Sequence, residues 1–124
     1  MSYLATQRTT VLVVEDEPIV LMDAVQALED AGFEVVDAYD GEHALMKLDE
    51  RPDIAALFTD VNMPGRLDGV ALARMVHERR PDMVLVLTSA AMRLSGADIP
   101  DDGRFVPKPY DGLQVAGLIR DMLG

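Results

Sequence analysis

Ile54-Ala-Ala-Leu-Phe-Thr59-Asp60-Val61-Asn62-Met63-Pro64-Gly65 is an apolar run that stops in a carboxylate and then turns. A second run, Val11-Leu-Val-Val14, stops in Glu15-Asp16-Glu17. Continuous apolar runs of this length, bounded by turn residues, read as strands buried on both faces of a sheet. If the two strands are parallel neighbours, Glu15, Asp16 and Asp60 meet at one edge. Like charges at that distance repel, so the arrangement calls for a cation. A hard divalent ion would serve, and a carboxylate beside such an ion can accept a phosphoryl group.

Outward from these runs, strand-like and helical patterns alternate. Glu15-Asp16-Glu17-Pro18 opens a helix, with acids placed for its dipole and Pro18 suited to the first turn. Leu21, Ala24, Val25 and Leu28 follow at helical spacing, and Gly32 stops it. Phe33–Ala38 reads as the second strand, and Glu42–Leu48 as a helix after the turn Asp40-Gly41. Ile54–Thr59 is the third strand, Val70–Arg80 a helix, and Met83–Leu87 a fourth strand apolar enough to be central. Residues 90–103 carry Ser95-Gly96 and Ile99-Pro100-Asp-Asp-Gly103, which favour loop and turn over a regular fourth helix. Phe105-Val106 is a short fifth strand. Leu113–Leu123 is a closing helix that offers Leu113, Ala116, Leu118, Ile119 and Leu123 to the core. The alternation predicts an α/β fold: a doubly wound, five-stranded parallel sheet with helices on both faces and a short or irregular fourth helix. In such sheets the functional crevice lies beyond the carboxyl ends of the strands.

The bulk composition narrows the function classes. The 124 residues suit one domain over 9–124 behind a loose tail at 1–8. A net charge of −11 repels phosphate backbones and anionic lipid, so no direct nucleic-acid or membrane partner is expected. The absence of cysteine excludes disulfides and thiol chemistry, which fits a reducing cytoplasm. No signal peptide or membrane span is read. His43 and His77 are expected at the helix surface, and the eight methionines in packing positions.

Every polar residue singled out falls at or just past a predicted strand's carboxyl end: Glu15 and Asp16, Asp60, Thr88 and Ser89, and Lys108. The motifs Val13-Val14-Glu15-Asp16, Thr59-Asp60-Val61-Asn62-Met63-Pro64, Asp68-Gly69, Leu87-Thr88-Ser89-Ala90 and Lys108-Pro109 occur in that order. Together they resemble the CheY-like receiver domain of two-component response regulators over roughly residues 9–123.

The resemblance implies roles. Asp60 would be the phosphoryl acceptor. Asp16 would ligate Mg²⁺ directly, Glu15 would hold it through water, and Asp60 and the Asn62 backbone carbonyl would complete the protein ligands, with Mn²⁺ a workable substitute. Lys108 and Thr88 would contact phosphoryl oxygens, and Phe105 would be the aromatic that rotates inward on switching. It replaces the commoner tyrosine and so lacks a hydroxyl. Ser89 and Ala90, with Asn62, would tune dephosphorylation. The Lys108-Pro109 peptide would be cis. The implied partner is a sensor histidine kinase or a His-containing phosphotransfer protein. Output would run through contact with a further protein or a homodimer, or through phosphate drainage.

Two departures stand out. The loop Pro64-Gly65-Arg66-Leu67-Asp68-Gly69 is one residue longer than usual, and residues 90–103 are short for the family's fourth helix, which weakens any transfer of the family's dimer surface. With no output domain before Gly124, a single-domain regulator is expected. The alternatives are a receiver-like module that never takes phosphate, a Mg²⁺-dependent phosphatase of the haloacid dehalogenase type, and a flavodoxin-like FMN binder. The phosphatase would want an acid where Asn62 stands. The flavin binder would want neutral amides where Glu15-Asp16-Glu17 stands.

Overall fold

The computed structural model describes residues 8–90 and 103–124. Among them are β1 (Thr10–Val14), α1 (Pro18–Asp30), β2 (Glu34–Ala38), α2 (Gly41–Glu50), β3 (Ile54–Asp60), α3 (Gly69–Arg79), β4 (Val84–Ser89), β5 (Arg104–Pro107) and α4 (Gly112–Leu123). The strands form one parallel sheet in the order β2-β1-β3-β4-β5. The acid-terminated strands β1 and β3 are therefore direct parallel neighbours, which meets the condition under which their acids would share one edge. The middle strand is β3; the very apolar β4 lies one place further out. The expected irregular helix over 90–103 and the expected tail over 1–8 fall almost wholly outside the described residues.

Alternation along the strands builds two cores. Val11 and Val13 of β1, Ala56 and Phe58 of β3, and Val84 and Val86 of β4 face α1 and α4, with Ala24, Leu28, Val115, Ala116 and Ile119 opposite them. Leu12, Val14, Leu57, Leu85 and Leu87 face α2 and α3, where Ala44, Leu48, Leu72 and Val76 meet them. The β1–β3 register slips between Thr10 and Val11, so that Thr10 pairs with Ile54 and Val11 with Ala56. This irregularity lets Ile54 and Leu57, three residues apart, share the α2/α3 core.

The helix ends show which local signals act. Asp40, Asp68 and Asp111 each cap a helix, their side chains accepting from the backbone N–H of His43, Ala71 and Leu113. Pro18 occupies the first turn of α1. The acids before it do not sit in that turn, and Glu17 makes no side-chain cap. Leu113 is exposed rather than buried, because the inward stripe of α4 runs through Val115, Ala116 and Ile119. Met22 and Met46 are also exposed, unlike Met63 and Met83, which pack in the core. His43 is half-buried rather than solvent-facing; its Nδ1 accepts the Tyr39 N–H at 3.2 Å.

Leu57 is fully buried on the middle strand. Leu57→Ala is expected to cost about 3 kcal/mol through lost transfer energy and a residual cavity. Urea denaturation checks this; a loss below about 1 kcal/mol would mean that the site collapses freely around the gap.

Candidate functional site

Backbone hydrogen bonds set the site before any side chain is considered. The Glu15 N–H donates to the Ala38 carbonyl at 3.1 Å, extending the β1–β2 ladder one residue past β1. The Val61 N–H donates to the Thr88 carbonyl at 2.9 Å, and the Lys108 N–H to the Ser89 carbonyl at 3.1 Å. Asp60 and Thr88 are register partners on β3 and β4. The ladder thus carries Glu15, Asp60, Thr88 and Lys108 to the carboxyl edge in fixed relation. Asp60, Thr88 and Ser89 are the last residues of their strands rather than the first residues of loops.

The side chains then converge. Carboxylate oxygens of Glu15, Asp16 and Asp60 lie within 4.8 Å of one another. Glu15 and Asp60 are only 3% and 4% exposed, so water does little to screen their repulsion. Lys108 compensates part of it: its Nζ donates to Glu15 Oε1 at 2.8 Å and to Asp60 Oδ2 at 3.3 Å. Burial alone would lower the Lys108 ammonium, but the hydrogen bond to Glu15 and the charge of Asp60 outweigh it and leave the group above its ordinary value. Asp16 is shifted upward, by burial and then by its neighbour Glu15. The Asp60 Oδ1 accepts the Asn62 N–H at 3.3 Å. Three oxygen donors this close, with one lysine among them, fit a hard divalent cation well.

Thr88 adds an independent sign of a ligand. Its side chain is 2% exposed, and among the described residues Oγ1 is the buried side-chain polar atom with no hydrogen-bond partner. Such an atom costs about 1–3 kcal/mol unless something arrives to pair with it. Phe105 is half-buried and packs against the α2/α3 core. The Lys108–Pro109 peptide is cis.

Three supporting contacts were not read from the sequence, although Asn62, Ser89 and Gly69 were themselves singled out there. Asn62 Nδ2 donates to Ser89 Oγ at 2.8 Å, joining the ends of β3 and β4 across the mouth of the site. Tyr110 packs edge-on against Phe58 with ring centroids 5.1 Å apart. Burial pushes its phenol up to about 12, and the charge of Glu15 adds to the rise. Gly69 starts α3 against the acceptor strand: a Cβ there would lie 2.1 Å from the Asp60 carbonyl oxygen. Its N–H donates to the Val61 carbonyl at 2.9 Å, closing the loop 62–68. The Asp68-Gly69 pair thus combines a cap with a close approach that admits no side chain.

This geometry has counterparts among known proteins. Residues 11–119 match the model of the response regulator receiver domain family. The chain belongs to that family. It is 34% identical to the response regulator receiver protein CpdR of Brucella abortus, over 91% of this chain and 95% of that one. It is 35% identical to the sensor kinase CckA of the same organism, over 92% of this chain but only 12% of the kinase. A match to the transcriptional regulatory protein CseB of Streptomyces coelicolor, at 37% identity, spans half of that protein. Among solved structures, a response regulator receiver protein from Sinorhizobium medicae superposes with a TM-score of 0.87 at 29% identity, covering 95% of this chain and 96% of that one. The receiver domain of the hybrid histidine kinase CckA superposes at 0.80 with 31% identity, covering 93% and 99%. The domain is accordingly a phosphoryl-accepting signalling module of the two-component type, and the phosphatase and flavin-binding alternatives are set aside. Among the described residues no helix is long and apolar enough to cross a membrane.

Two outcomes test the supporting residues. Gly69→Ala should lower stability by about 2 kcal/mol or more, since the added methyl must displace backbone rather than a flexible tip; thermal unfolding measures it. In an ultraviolet titration of the phenols, a step near pH 12 should vanish in Tyr110→Phe. Because the folded value lies above the unfolded one of about 10, Tyr110 stabilises the fold fully below pH 10 and loses that contribution as the pH rises towards 12. The tyrosine protein should therefore lose stability more steeply across that window than the phenylalanine variant.

Proposed function

We propose that Asp60 is the acceptor, and that the chain catalyses its own phosphorylation from a phosphohistidine donor on a sensor kinase or phosphotransfer protein. The observation that carries this reading is the pairing at β3 and β4. A buried carboxylate held by Lys108 and the Asn62 N–H stands beside a buried hydroxyl, Thr88 Oγ1, that has nothing to bond.

The chemistry follows from these groups. An Asp60 carboxylate oxygen attacks phosphorus in line with the scissile bond. An O–P bond forms, the P–N bond to the donor imidazole breaks, and its electron pair stays on the ring nitrogen. Lys108 exchanges one of its carboxylate contacts for a phosphoryl oxygen, keeping its positive charge where negative charge gathers. Thr88 donates its hydroxyl to another phosphoryl oxygen and so satisfies the orphaned atom. Asp16, Asp60, the Asn62 carbonyl and, through water, Glu15 would hold Mg²⁺. When bound, the ion neutralises charge on the transferring group.

Switching then has a local cause. The acyl phosphate puts about −1.5 to −2 charges where the carboxylate carried one, a net gain of about −0.5 to −1 at the end of the middle strand, and draws Thr88 towards it. Phe105 lies beside Leu87, its register partner on β4, one residue from Thr88, so a shift of Thr88 is felt there first. Having no hydroxyl to anchor, Phe105 would respond through packing alone. Output would pass by protein contact, or the domain would drain phosphoryl groups from its kinase.

Intact mass after incubation with Mg²⁺ and a small phospho-donor is the direct test. One phosphoryl adduct is expected, absent without Mg²⁺ and absent in Asp60→Asn. An adduct that persists in Asp60→Asn would place the acceptor elsewhere. No adduct from any donor in a protein that binds Mg²⁺ would make this a phosphate-independent member of the family.

A further inference from the structure

We propose that Arg66 is a second phosphoryl-binding cation, which captures the donor's phosphoryl group at the outer mouth of the site before transfer. The proposal rests on the reading of Asp60 as acceptor and deepens it by naming a residue that selects and holds the substrate.

A cleft of about 560 Å³ opens beside the acceptor strand, lined by Asp16, Asn62, Pro64, Gly65, Arg66 and Asp68, among others. Arg66 is its one cationic lining residue. Two acids line the same cleft, yet Arg66 forms no ion pair or hydrogen bond among the described residues. Asp68 is committed to the Ala71 N–H at 2.9 Å, and a carboxylate oxygen of Asp16 to the cluster with Glu15 and Asp60. A solvent-facing guanidinium with five donors and no partner, at the rim of a site that must attract a dianion, is set up to bind one.

The loop holds it there. Leu67 packs against the α2/α3 core and against Gly41, where a Cβ would come within 2.9 Å of the Leu67 side chain. Gly69 fixes the far end of the loop against Val61. On the other side of Arg66, Gly65 turns the chain with φ 99°, with open space where a side chain would stand. Arg66 is thus an exposed side chain between a glycine turn and an anchored leucine. Lys108 cannot do the same work from its own position. Its side chain is 17% exposed and is bound from within to Glu15 and Asp60.

The charge balance shows what a second cation adds. Glu15, Asp16 and Asp60 carry three negative charges against one on Lys108, leaving a net charge of −2 at the site. A divalent ion would bring the site to zero, and the incoming phosphoryl group would return it to about −2. A planar guanidinium at the mouth offsets part of that. It can also grip two non-bridging oxygens at once, which orients phosphorus for in-line attack by Asp60.

The test uses phosphoramidate, a donor too small to touch any kinase-docking surface. Asp60 attacks phosphorus of the N-protonated donor, an O–P bond forms, the P–N bond breaks, and neutral ammonia departs with the electron pair. With Mg²⁺ present, the second-order rate constant of adduct formation is followed by intact mass for the wild type, Arg66→Ala and Arg66→Lys. Loss of charge-assisted contacts predicts a fall of about tenfold or more in Arg66→Ala. Arg66→Lys should be intermediate, having the charge without the fork. Raising the salt concentration should slow the wild type more than Arg66→Ala. Calorimetric titration with Mg²⁺ alone should give equal or tighter binding in Arg66→Ala, because a repelling cation has gone. Equal rates in wild type and Arg66→Ala would overturn the proposal. So would a slower variant whose Mg²⁺ affinity falls in parallel, since Arg66 would then act through the loop. A wild type that takes no phosphoryl group would overturn the reading of Asp60 itself, and this inference with it.

Discussion

The contact of Lys108 with Glu15 and Asp60 is the interaction on which the site depends. At an effective dielectric of about 20, two like charges 4 Å apart repel by about 4 kcal/mol. Glu15 and Asp60 are almost wholly removed from water, and Asp16 adds a third charge. One lysine from the far side of the sheet bridges two of the three. The amino end of the sheet offers a contrast. There Arg51 pairs with both Glu34 and Asp53, all three groups at least a third exposed, and Asp53 is held below the usual carboxylate range by the Arg51 contact. That cluster is screened by water and carries a net charge of only −1, so it is worth little to stability. The carboxyl edge is buried and unbalanced, which is what a site for a divalent cation would need.

An unbalanced cluster persists only where the scaffold leaves it no escape. The strands that carry it have their side chains buried on both faces, and each is tied to a neighbour one residue past its regular pairing. An untethered carboxylate would swing into water and shed the repulsion; Glu15, one residue past β1, is held by its N–H to the Ala38 carbonyl. Asp60 cannot swing out, because its own backbone lies under Gly69 with no room for even a methyl group. Stability in the two apolar cores is thus spent on holding charges together.

Most of the fold was legible because it rests on short-range signals. Runs such as Val11–Val14 and Ile54–Phe58 are too apolar to be anything but buried strands, and Asp40, Asp68 and Asp111 are helix caps of an ordinary kind. The acids were legible because each falls at the end of such a run. What escaped depends on contacts across the chain. Leu113 fits the helical period of α4 yet lies on the wrong side of the stripe once Val115 and Ile119 meet α1. Nothing in the spacing of Asn62 and Ser89 says that they touch, since 27 residues separate them. The strain-free fit of Gly69 under Asp60 was quoted as part of a motif, but its cause is a three-dimensional approach that no local pattern encodes.

The same reasoning bears on how much switching this site can drive. Turning a 1:99 equilibrium into 99:1 needs about 5.5 kcal/mol of difference in interaction between the two states. On the proposed reading, satisfying Thr88 Oγ1 would supply about 1–3 kcal/mol of that. On that reading the remainder would have to come from charge: the repulsion relieved if Lys108 and a divalent ion share the acids with a phosphoryl group. A receiver with an aromatic hydroxyl on β5 could add a further hydrogen bond in the switched state. Phe105 has none to add, so under the proposed switch this chain would depend more heavily on its electrostatics. If Asp60 is the acceptor as proposed, its response should therefore be unusually sensitive to nearby cations: Lys108 within the sheet and, on the proposal above, Arg66 on the adjoining cleft.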